Sequence, residues 1–317
     1  MNCEFKIIVL FAMSPKVSVI IPIYNTAAYL PQALDSICTQ TLKELQIILI
    51  NDGSTDNSQE IIEAYAMKDS RIEWISQANA GQGHARNMGL KKAVADYIYF
   101  MDSDDILQKD CLEQCFQLCQ DEQLDYVTFD AESFDTLTGA REHTAYNRKG
   151  SIDSERIWDS KALLKHSLSN SSFRSSLCIF MFKRALLEHH HITCPEGIIH
   201  EDNAFILKAM LCAKRVKYIP TMFFLRRVRP SSTMTIRYSL RNIIGYVTTA
   251  NLVKTWVKEQ PEWEPLISLY LHKTLNSVIW LGHQLTWREK FKTIHLILTN
   301  HLHPYITCRN WMVFLFK

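Results

Sequence analysis

The segment YIYFMDSDD, at residues 97–105, joins an apolar run to a cluster of three carboxylates. Its first five residues are apolar or aromatic without interruption, which is typical of a strand that is buried on both faces of a sheet. Asp102, Asp104 and Asp105 follow directly. Because open α/β sheets bind ligands beyond the carboxyl ends of their strands, this segment predicts both the fold and the position of a site.

Strands and helices alternate along the first hundred residues. Strands are predicted at 17–23 (VSVIIPI), 45–50 (LQIILI), 72–76 and 97–101. Helices are predicted between them at 27–40, where apolar residues recur at helical spacing, and at 56–67 and 82–95. This alternation indicates βαβ units, so we predict an α/β fold with a mainly parallel sheet flanked by helices.

The middle of the chain has a less regular pattern. Helices are predicted at about 108–120, 158–168, 183–191 and 201–213. Short strands are predicted at 126–129, 178–182, 215–219 and 223–227. Residues 131–153 are polar with few apolar anchors, and we predict a loop there.

Polar residues follow the predicted strands, at 24–25, 51–54, 77–83 and 102–105. Parallel strands end at one edge of the sheet, so these residues are expected to lie close together. Asp52 is placed to accept hydrogen bonds from a base or a ribose. An alternative is that NDGSTD at 51–56 is only a turn and a helix cap, since Asp-Gly, Ser and Thr favour both.

The three carboxylates of the acidic cluster repel one another unless a cation or hydrogen bonds compensate them. Oxygen ligands of this kind suit Mg²⁺ or Mn²⁺, which keep open positions for phosphate oxygens. The alternative is a turn in which Ser103 or Asp105 caps the next helix. The position at the end of a strand favours the metal.

The stretch from Gly81 to Arg86, GQGHAR, begins like a dinucleotide-binding fingerprint. Arg86 stands where the third glycine belongs, and no such motif follows the first strand, so we expect no NAD site. The sequence also lacks a Gly-x-x-x-x-Gly-Lys-Ser/Thr phosphate loop. A glycine-rich approach to a helix can still help to bind phosphate.

Two groups of possible metal ligands have a simpler structural interpretation. Cys111, Cys115 and Cys119 recur every four residues and would form a buried stripe on one helix face. The histidines at 189–191 are adjacent, so their side chains point in different directions on a helix. None of the nine cysteines forms a Cys-x-x-Cys pair, and reduced thiols in a cytoplasmic protein are the simplest account.

Four segments in this order resemble the inverting glycosyltransferase family 2, of the bacterial surface-polysaccharide type. They are VSVIIPIYN at 17–25, NDGSTDNS at 51–58, NAGQGHARNMGL at 79–90 and FMDSDD at 100–105. The resemblance continues through PEG at 195–197, HED at 200–202, FLRR at 224–227 and the Ser231-Ser232 region. It implies a GT-A-like, Rossmann-like catalytic domain at residues 14–230.

The resemblance also implies a role for each matching residue. Asp202 is the expected catalytic base, and Asp104 is the expected metal ligand. The residues expected to bind the nucleotide-sugar are Pro22, Tyr24, Asn25, Asp52, Arg86, Asp102 and Arg227. Asn51 departs from the family pattern, in which a second acidic residue is common, but the expected role falls on Asp52.

This set of residue types fits an in-line displacement at an anomeric carbon. A carboxylate within hydrogen-bond reach, Asp202, would take the proton of the acceptor hydroxyl. Mn²⁺ or Mg²⁺ would offset the negative charge on the leaving nucleoside diphosphate. Arg226, Arg227 or Arg229 would add charge-assisted contacts to the diphosphate, unless these arginines only cover a solvated surface.

The end of the chain differs in charge from the rest. Residues 226–317 hold 13 Lys/Arg against 4 Asp/Glu and five of the seven tryptophans, whereas the preceding residues are net acidic. We predict a helical, basic, Trp-rich extension at 231–317. It either packs on the catalytic domain or meets an anionic membrane surface. No nucleic-acid-binding motif is present, so no nucleic-acid partner is expected.

The sequence has no run of the ~20 apolar residues that a membrane-spanning helix needs. The apolar stretch at 7–13 is shorter, and we expect no signal peptide. Met13 is an alternative start, since the first strand begins only at Val17, and N-terminal sequencing would test this. We expect a cytoplasmic protein, or one held peripherally on the inner face of the cytoplasmic membrane.

These observations predict a transferase that uses a nucleotide-sugar, with a UDP-sugar as the expected donor. The acceptor would be a glycan or lipid-linked glycan of a surface polysaccharide, such as lipopolysaccharide or capsule. One alternative is a sugar nucleotidyltransferase, which needs a glycine-rich basic loop where residues 24–27 read YNTA. Another is a non-catalytic nucleotide- or glycan-binding protein, in which Asp202 or the Asp102/Asp104 pair would be missing, whereas both are present.

Overall fold

Four apolar strands form the parallel half of the sheet, in the order β3-β2-β1-β4. They are β1 (Val17–Ile23), β2 (Leu45–Asn51), β3 (Ile72–Ser76) and β4 (Tyr97–Phe100). Every residue of β1, β2 and β4 is buried, which is why these strands are continuously apolar. The computed structural model describes residues 14–135, 141–142, 146–229 and 237–317.

Three helices connect these strands, as predicted: α1 (Leu30–Cys38), α2 (Ser58–Lys68) and α3 (Gln82–Lys92). Helix α3 lies so close to β1 that a Cβ at Gly89 would overlap the Ile20 side chain. The glycine therefore permits the close approach of the helix to the sheet. The residues at 7–13, including Met13, and the Ser231-Ser232 region lie outside the described residues.

The second half of the sheet is mixed. Its strands are β5 (Ile106–Leu107), β6 (Tyr126–Asp135), β7 (Arg141–Glu142), β8 (Trp158–Asp159), β9 (Phe180–Lys183) and β10 (Arg215–Val228). β9 is antiparallel to both of its neighbours, β4 and β6, whereas β6 and β10 are parallel. The shorter strands β5, β7 and β8 make antiparallel pairs. The predicted parallel sheet is thus extended by strands of both directions.

The remaining helices are α4 (Cys111–Asp121), α5 (Ser160–Ser169), α6 (Arg184–His189), α7 (Asp202–Cys212), α8 (Leu240–Glu259), α9 (Glu264–Leu281), α10 (Trp287–Thr299) and α11 (Cys308–Phe316). Helix α8 begins with a capping box between Ser239 and Asn242. The helical prediction for the end of the chain is confirmed, and apolar residues of α8 and α9 join the same core as the sheet. The predicted cysteine stripe on α4 is confirmed, since all three thiols are buried.

Three local predictions were wrong. The loop predicted at 131–153 begins as strand, because residues 131–135 pair with the far end of β10, and 141–142 form β7. The strands predicted at 215–219 and 223–227 are one strand with irregular register around Pro220. The helix predicted from 158 begins at Ser160, because Trp158 and Asp159 pair with β10 and Asp159 caps the helix.

Candidate active site

The loops after β1 and β2 are tied together at the carboxyl edge of the sheet. Asn25, with a φ of 52°, accepts a hydrogen bond from the Thr55 backbone at 2.7 Å, and its own N–H donates to the Ser54 hydroxyl at 3.1 Å. Pro22 is buried in the strand, whereas Tyr24 is half exposed. Tyr24 and Asn25 therefore offer accessible surface among the residues expected to border a base.

The Asp52 carboxylate accepts four hydrogen bonds that hold the next loop together. Its Oδ1 accepts from the Ala80 N–H at 2.9 Å and from Gln77 Nε2 at 2.7 Å. Its Oδ2 accepts from the Gly81 N–H at 2.8 Å and from Asn79 Nδ2 at 3.2 Å. The carboxylate is buried and orders the approach to α3, while its contact with a base or ribose stays a prediction.

The Asp-x-Asp turn follows β4, and each of its carboxylates has a cationic or amide partner. Asp102 Oδ1 accepts from Arg86 Nη2 at 2.8 Å and from Gln82 Nε2 at 2.9 Å. Asp104 Oδ2 pairs with Arg229 Nε at 2.6 Å. Burial, and then repulsion from Asp102, raise the pKa of Asp104. The turn thus concentrates negative charge that its own partners offset incompletely.

The Asp105 carboxylate faces inward and stabilises the turn. It accepts the Arg227 N–H at 2.6 Å, and burial followed by the charges of Asp104 and Asp102 raises its pKa well above the ordinary value. The Arg227 side chain donates to the Asp104 carbonyl at 2.7 Å and to Gln32 at 2.6 Å. Arg227 is buried, so it holds the turn in place.

Arg226, its neighbour on β10, is placed differently. Its guanidinium lies 5.9 Å from the centre of the Tyr146 ring. Among the side chains that the structure describes, none accepts a hydrogen bond from it or forms an ion pair with it. Arg226 is therefore better placed than Arg227 to meet an anionic group of a substrate.

Arg86 joins the Asp-x-Asp turn to the residues before α7. Its Nη2 contacts Asp102 and its Nη1 contacts Glu201 Oε1 at 2.5 Å, although the guanidinium is almost fully buried. Burial disfavours its charge, but Asp102 and Glu201 raise the pKa of Arg86. The approach is possible because Gly83 on the same helix lies against the Pro195 carbonyl, 2.5 Å from where a Cβ would stand.

Asp202 is the first residue of α7 and is partly exposed. Burial, and then the charge of the neighbouring Glu201, raise the pKa of Asp202 to about 7. An aspartate with this pKa can hold or release a proton near neutral pH, which suits a general base. The structure therefore brings together Arg86, Asp102 and the Glu201-Asp202 pair.

The C-terminal helices hold the loop that carries Asp202. His200, with a φ of 65°, makes a 3.0 Å hydrogen bond with Asn242 of α8 and stacks on Tyr246. A Cβ at Gly245 would overlap the Ile199 carbonyl oxygen. These α8 residues were not predicted from the sequence, where their local signal is the glycine within an otherwise helical pattern.

The acidic turn fits a divalent cation that is shared with a ligand. Within the described ranges, no three His, Cys, Asp or Glu side chains are arranged as a complete metal site. Asp102 and Asp104 supply only oxygen ligands, and a cation held by one or two carboxylates plus phosphate oxygens is the usual arrangement for Mg²⁺. The donor set therefore fits Mg²⁺ or Mn²⁺ bound together with a diphosphate.

An α/β sheet with this turn at its carboxyl edge and a partly exposed aspartate beside it has the architecture of a GT-A transferase. Residues 18–190 match the family described as Glycosyl transferase family 2, and the chain belongs to this family. This membership favours a glycosyltransferase over a sugar nucleotidyltransferase. The predictions of family and GT-A-like fold are confirmed.

Curated relatives carry the same description. The chain is 34% identical over 229 residues to the uncharacterized glycosyltransferase EpsJ of Bacillus subtilis, covering 71% of this chain and 65% of EpsJ. It is 31% identical to the glycosyltransferase GlyG of Streptococcus pneumoniae, covering 72% of this chain and 76% of GlyG. The match with GlyA of the same species spans 31% of that protein.

Two solved structures share the fold. The crystal structure of S. aureus TarS 1-349 in complex with UDP-GlcNAc superposes with a TM-score of 0.69 at 20% identity, covering 92% of this chain and 89% of that one. The mannosyltransferase PcManGT from Pyrobaculum calidifontis, in complex with GDP-Man and Mn²⁺, superposes with a TM-score of 0.62 at 17% identity, covering 95% and 84%.

Proposed function

We propose that this glycosyltransferase moves a sugar from a UDP-sugar to a hydroxyl of a glycan or lipid-linked glycan, with inversion at the anomeric carbon. The observation that carries the proposal is the linkage of Asp202 to Asp102 through Glu201 and Arg86. This linkage sets a carboxylate with a pKa of about 7 beside the turn expected to hold the donor. One site would thus supply both a general base and the residues that bind the nucleotide-sugar.

The reaction is a single displacement. The acceptor oxygen forms a bond to the anomeric carbon as its proton passes to Asp202, on the face opposite the leaving group. The bond from the anomeric carbon to the diphosphate oxygen breaks, and the nucleoside diphosphate leaves with the electron pair. Attack from the opposite face inverts the configuration of the sugar.

Asp102 and Asp104 would hold Mn²⁺ or Mg²⁺ together with the diphosphate. The cation would supply Lewis-acid stabilisation of the negative charge on the leaving group. Arg229, which now pairs with Asp104, would have to share or release this carboxylate. The structure of PcManGT in complex with GDP-Man and Mn²⁺ supports this assignment.

The nucleotide would lie across the loops after β1 and β2, against Tyr24, Asn25 and the backbone near Pro22. Asp52 would shape this surface by holding the 77–81 loop, with the base or ribose at its edge. Arg226 would contact the diphosphate directly, whereas Arg86 and Arg227 would act by positioning Asp102 and Asp104. The UDP-GlcNAc complex of TarS supports a uridine nucleotide.

The acceptor is proposed to be a growing surface polysaccharide, such as lipopolysaccharide or capsule. We place the reaction on the cytoplasmic side of the membrane, where nucleotide-sugars would be available. Tyr146 and the described residues that follow it, up to 178, would border the acceptor, because Tyr146 lies beside Arg226 and close enough to Asp202 to interact with it electrostatically.

The test is thermal unfolding of the purified protein with UDP, GDP or CMP, each with and without Mn²⁺, followed by an assay of UDP release from UDP-sugars. A ligand that binds the folded state raises Tm by mass action. We expect a UDP shift that requires Mn²⁺, is lost in Asp104→Ala and is kept in Asp202→Asn. Asp121→Asn, an exposed position at the end of α4, is the matched control.

A turnover rate of Asp202→Asn close to that of the Asp121→Asn control would contradict the assignment of the base. A shift with GDP or CMP in place of UDP would keep the reaction and replace the donor. Retention of the sugar's configuration in the product would contradict the single displacement.

A further inference from the structure

Helix α10 presents an uncovered row of large apolar side chains. Trp287, Phe291 and Leu298 are 62%, 69% and 50% exposed. On a helix that turns about 100° per residue, they fall within about 40° of one another. The opposite face, with Thr293 and Ile297, is fully buried against the rest of the chain. The exposed row is therefore a second apolar face, separate from the one that packs.

Cationic side chains border this row on one side. Arg288 and Lys292 are exposed, are four residues apart and each follow an apolar member of the row. Lys290 differs, because its side chain is buried and its ammonium group lies 4.9 Å from the centre of the Trp287 ring. The face thus combines apolar anchors with an adjacent basic strip.

An apolar groove widens the face towards α8. Leu240 of α8 lines it together with Phe291, Lys292, His295 and Leu296 of α10, and it encloses about 380 Å³. Ile244, one turn after Leu240, is 43% exposed. Among the described residues, eight of the thirteen exposed large apolar side chains lie in α8–α11, so the concentration is local to the basic end of the chain.

We propose that this α10 face, defined by Trp287, Arg288, Phe291, Lys292 and Leu298, docks the enzyme on the headgroup region of an anionic lipid bilayer. The three apolar side chains would enter the boundary between headgroups and acyl chains, and the two cations would meet lipid phosphates. None of the described helices is long and apolar enough to cross a membrane, so the contact lies in the plane of the surface.

The positive charge of this part of the chain favours a lipid surface over a second copy of the chain as the partner of the α10 face. Residues 226–317 carry 13 Lys/Arg and 4 Asp/Glu, so an anionic partner is complementary to them. A two-fold interface would place this face against itself and bring Arg288 and Lys292 towards their own equivalents. Such like-charge contacts are unfavourable, whereas lipid phosphates neutralise them.

The test is co-sedimentation of the full chain with vesicles of phosphatidylcholine alone, or of phosphatidylcholine mixed with phosphatidylglycerol. We expect binding to the anionic vesicles that weakens at high salt. The joint substitution Arg288→Gln and Lys292→Gln should lower affinity about 30-fold, from the usual contribution of surface cations. The joint substitution Trp287→Ser and Phe291→Ser should lower it at least about 10-fold.

Matched controls carry the same changes elsewhere. Lys91→Gln with Lys92→Gln removes two exposed cations from α3, and Met67→Ser removes an 83% exposed apolar side chain from α2. These controls should bind the anionic vesicles like the wild type. All variants should keep the wild-type Tm and its shift with UDP, because every substituted side chain is exposed.

Three results would overturn the proposal. They are failure of the wild type to bind anionic vesicles, equal binding to both kinds of vesicle, and equal loss in the control variants. Light scattering supplies a fourth: a dimer that becomes monomeric in Trp287→Ser with Phe291→Ser would assign the face to a second copy. These readouts need no sugar transfer, so they stand apart from the test of the proposed reaction.

Discussion

The imidazole of His200 stacks on the phenol ring of Tyr246, with ring centroids 4.6 Å apart and ring planes inclined by 24°. Burial lowers the pKa of His200, so the imidazole is neutral at physiological pH. His200 stands two residues before Asp202, and Tyr246 belongs to α8. The stack therefore fixes the proposed base from outside the sheet.

Replacing Tyr246 should impair turnover more than donor binding. Tyr246→Leu removes the ring that supports His200, and a small displacement of Asp202 can cost on the order of 100-fold in kcat. The KM for the UDP-sugar should change little. Tyr246→Phe keeps the stack and should keep most of the activity. Equal losses in both variants would show that the hydroxyl group matters instead of the ring.

A substitution at Gly245 tests the contact between α8 and the loop that carries Asp202. Alanine in place of glycine within a helix usually stabilises by up to about 1 kcal/mol. At this position the added Cβ would overlap the Ile199 carbonyl oxygen, so Gly245→Ala should destabilise by about 1–3 kcal/mol. Thr248→Ala, at an exposed position of α8, is the control. Denaturant unfolding decides the sign, and a stabilised Gly245→Ala would mean that α8 does not press on this loop.

The pKa of Asp202 gives two pH dependences of opposite direction. Activity should rise through pH 7, because the base must be deprotonated and its pKa is about 7. The free energy of unfolding should fall as the pH rises from about 4 to 7, because in this range the folded state still binds a proton that the unfolded state has lost. Asp202→Asn should abolish activity and make this part of the stability curve shallower, and the remaining fall would come from Asp104 and Asp105, whose pKa values are also raised.

Measurement of Tm and of initial rates on one pH series would check both parts. The charged neighbours Glu201, Arg86 and Asp102 contribute to the pKa of Asp202, so a pH profile displaced by Glu201→Gln would support the contribution of the Glu201 charge. An inactive Asp202→Asn whose Tm still falls between pH 4 and pH 7 like the wild type would contradict the assignment of this titration to Asp202.

Adjacent arginines should behave differently although they share charge and strand. Arg226→Gln should raise the KM for the UDP-sugar about 10-fold and leave the free energy of unfolding within about 0.5 kcal/mol of the wild type. Arg227→Gln should cost about 1–3 kcal/mol of stability, because buried acceptors in the acidic turn lose their donor. The reverse pattern, measured by kinetics and denaturant unfolding, would exchange their proposed roles.

Local patterns predicted the parallel half of the sheet and its acidic edge. β1, β2 and β4 are buried on both faces, so their apolar runs are unambiguous, and the strand ends place Asp52 and Asp102 at one edge. The sequence predicts β9 as a strand but not its antiparallel position between β4 and β6, since four residues carry no signal for direction.

The contacts within the site could not be predicted, because they join distant positions. Arg86 meets Glu201 across 115 residues, and His200 meets Asn242 across 42. From local pattern alone, Arg86 stands out only as the residue that breaks a dinucleotide fingerprint. The structure explains the mismatch: the helix needs a guanidinium at this position to hold two carboxylates.

That guanidinium joins two parts of the proposed site. One side of Arg86 pairs with Asp102, which is proposed to face the donor, and the other pairs with Glu201, which precedes the proposed base. If a ligand drew Asp102 away, the charge of Arg86 would be neutralised less by Asp102. The electrostatic potential at Glu201 and Asp202 would then become less negative, which lowers the pKa of Asp202. Donor loading and readiness of the base would then be thermodynamically linked, and such linkage favours an ordered mechanism in which the nucleotide-sugar binds before the acceptor.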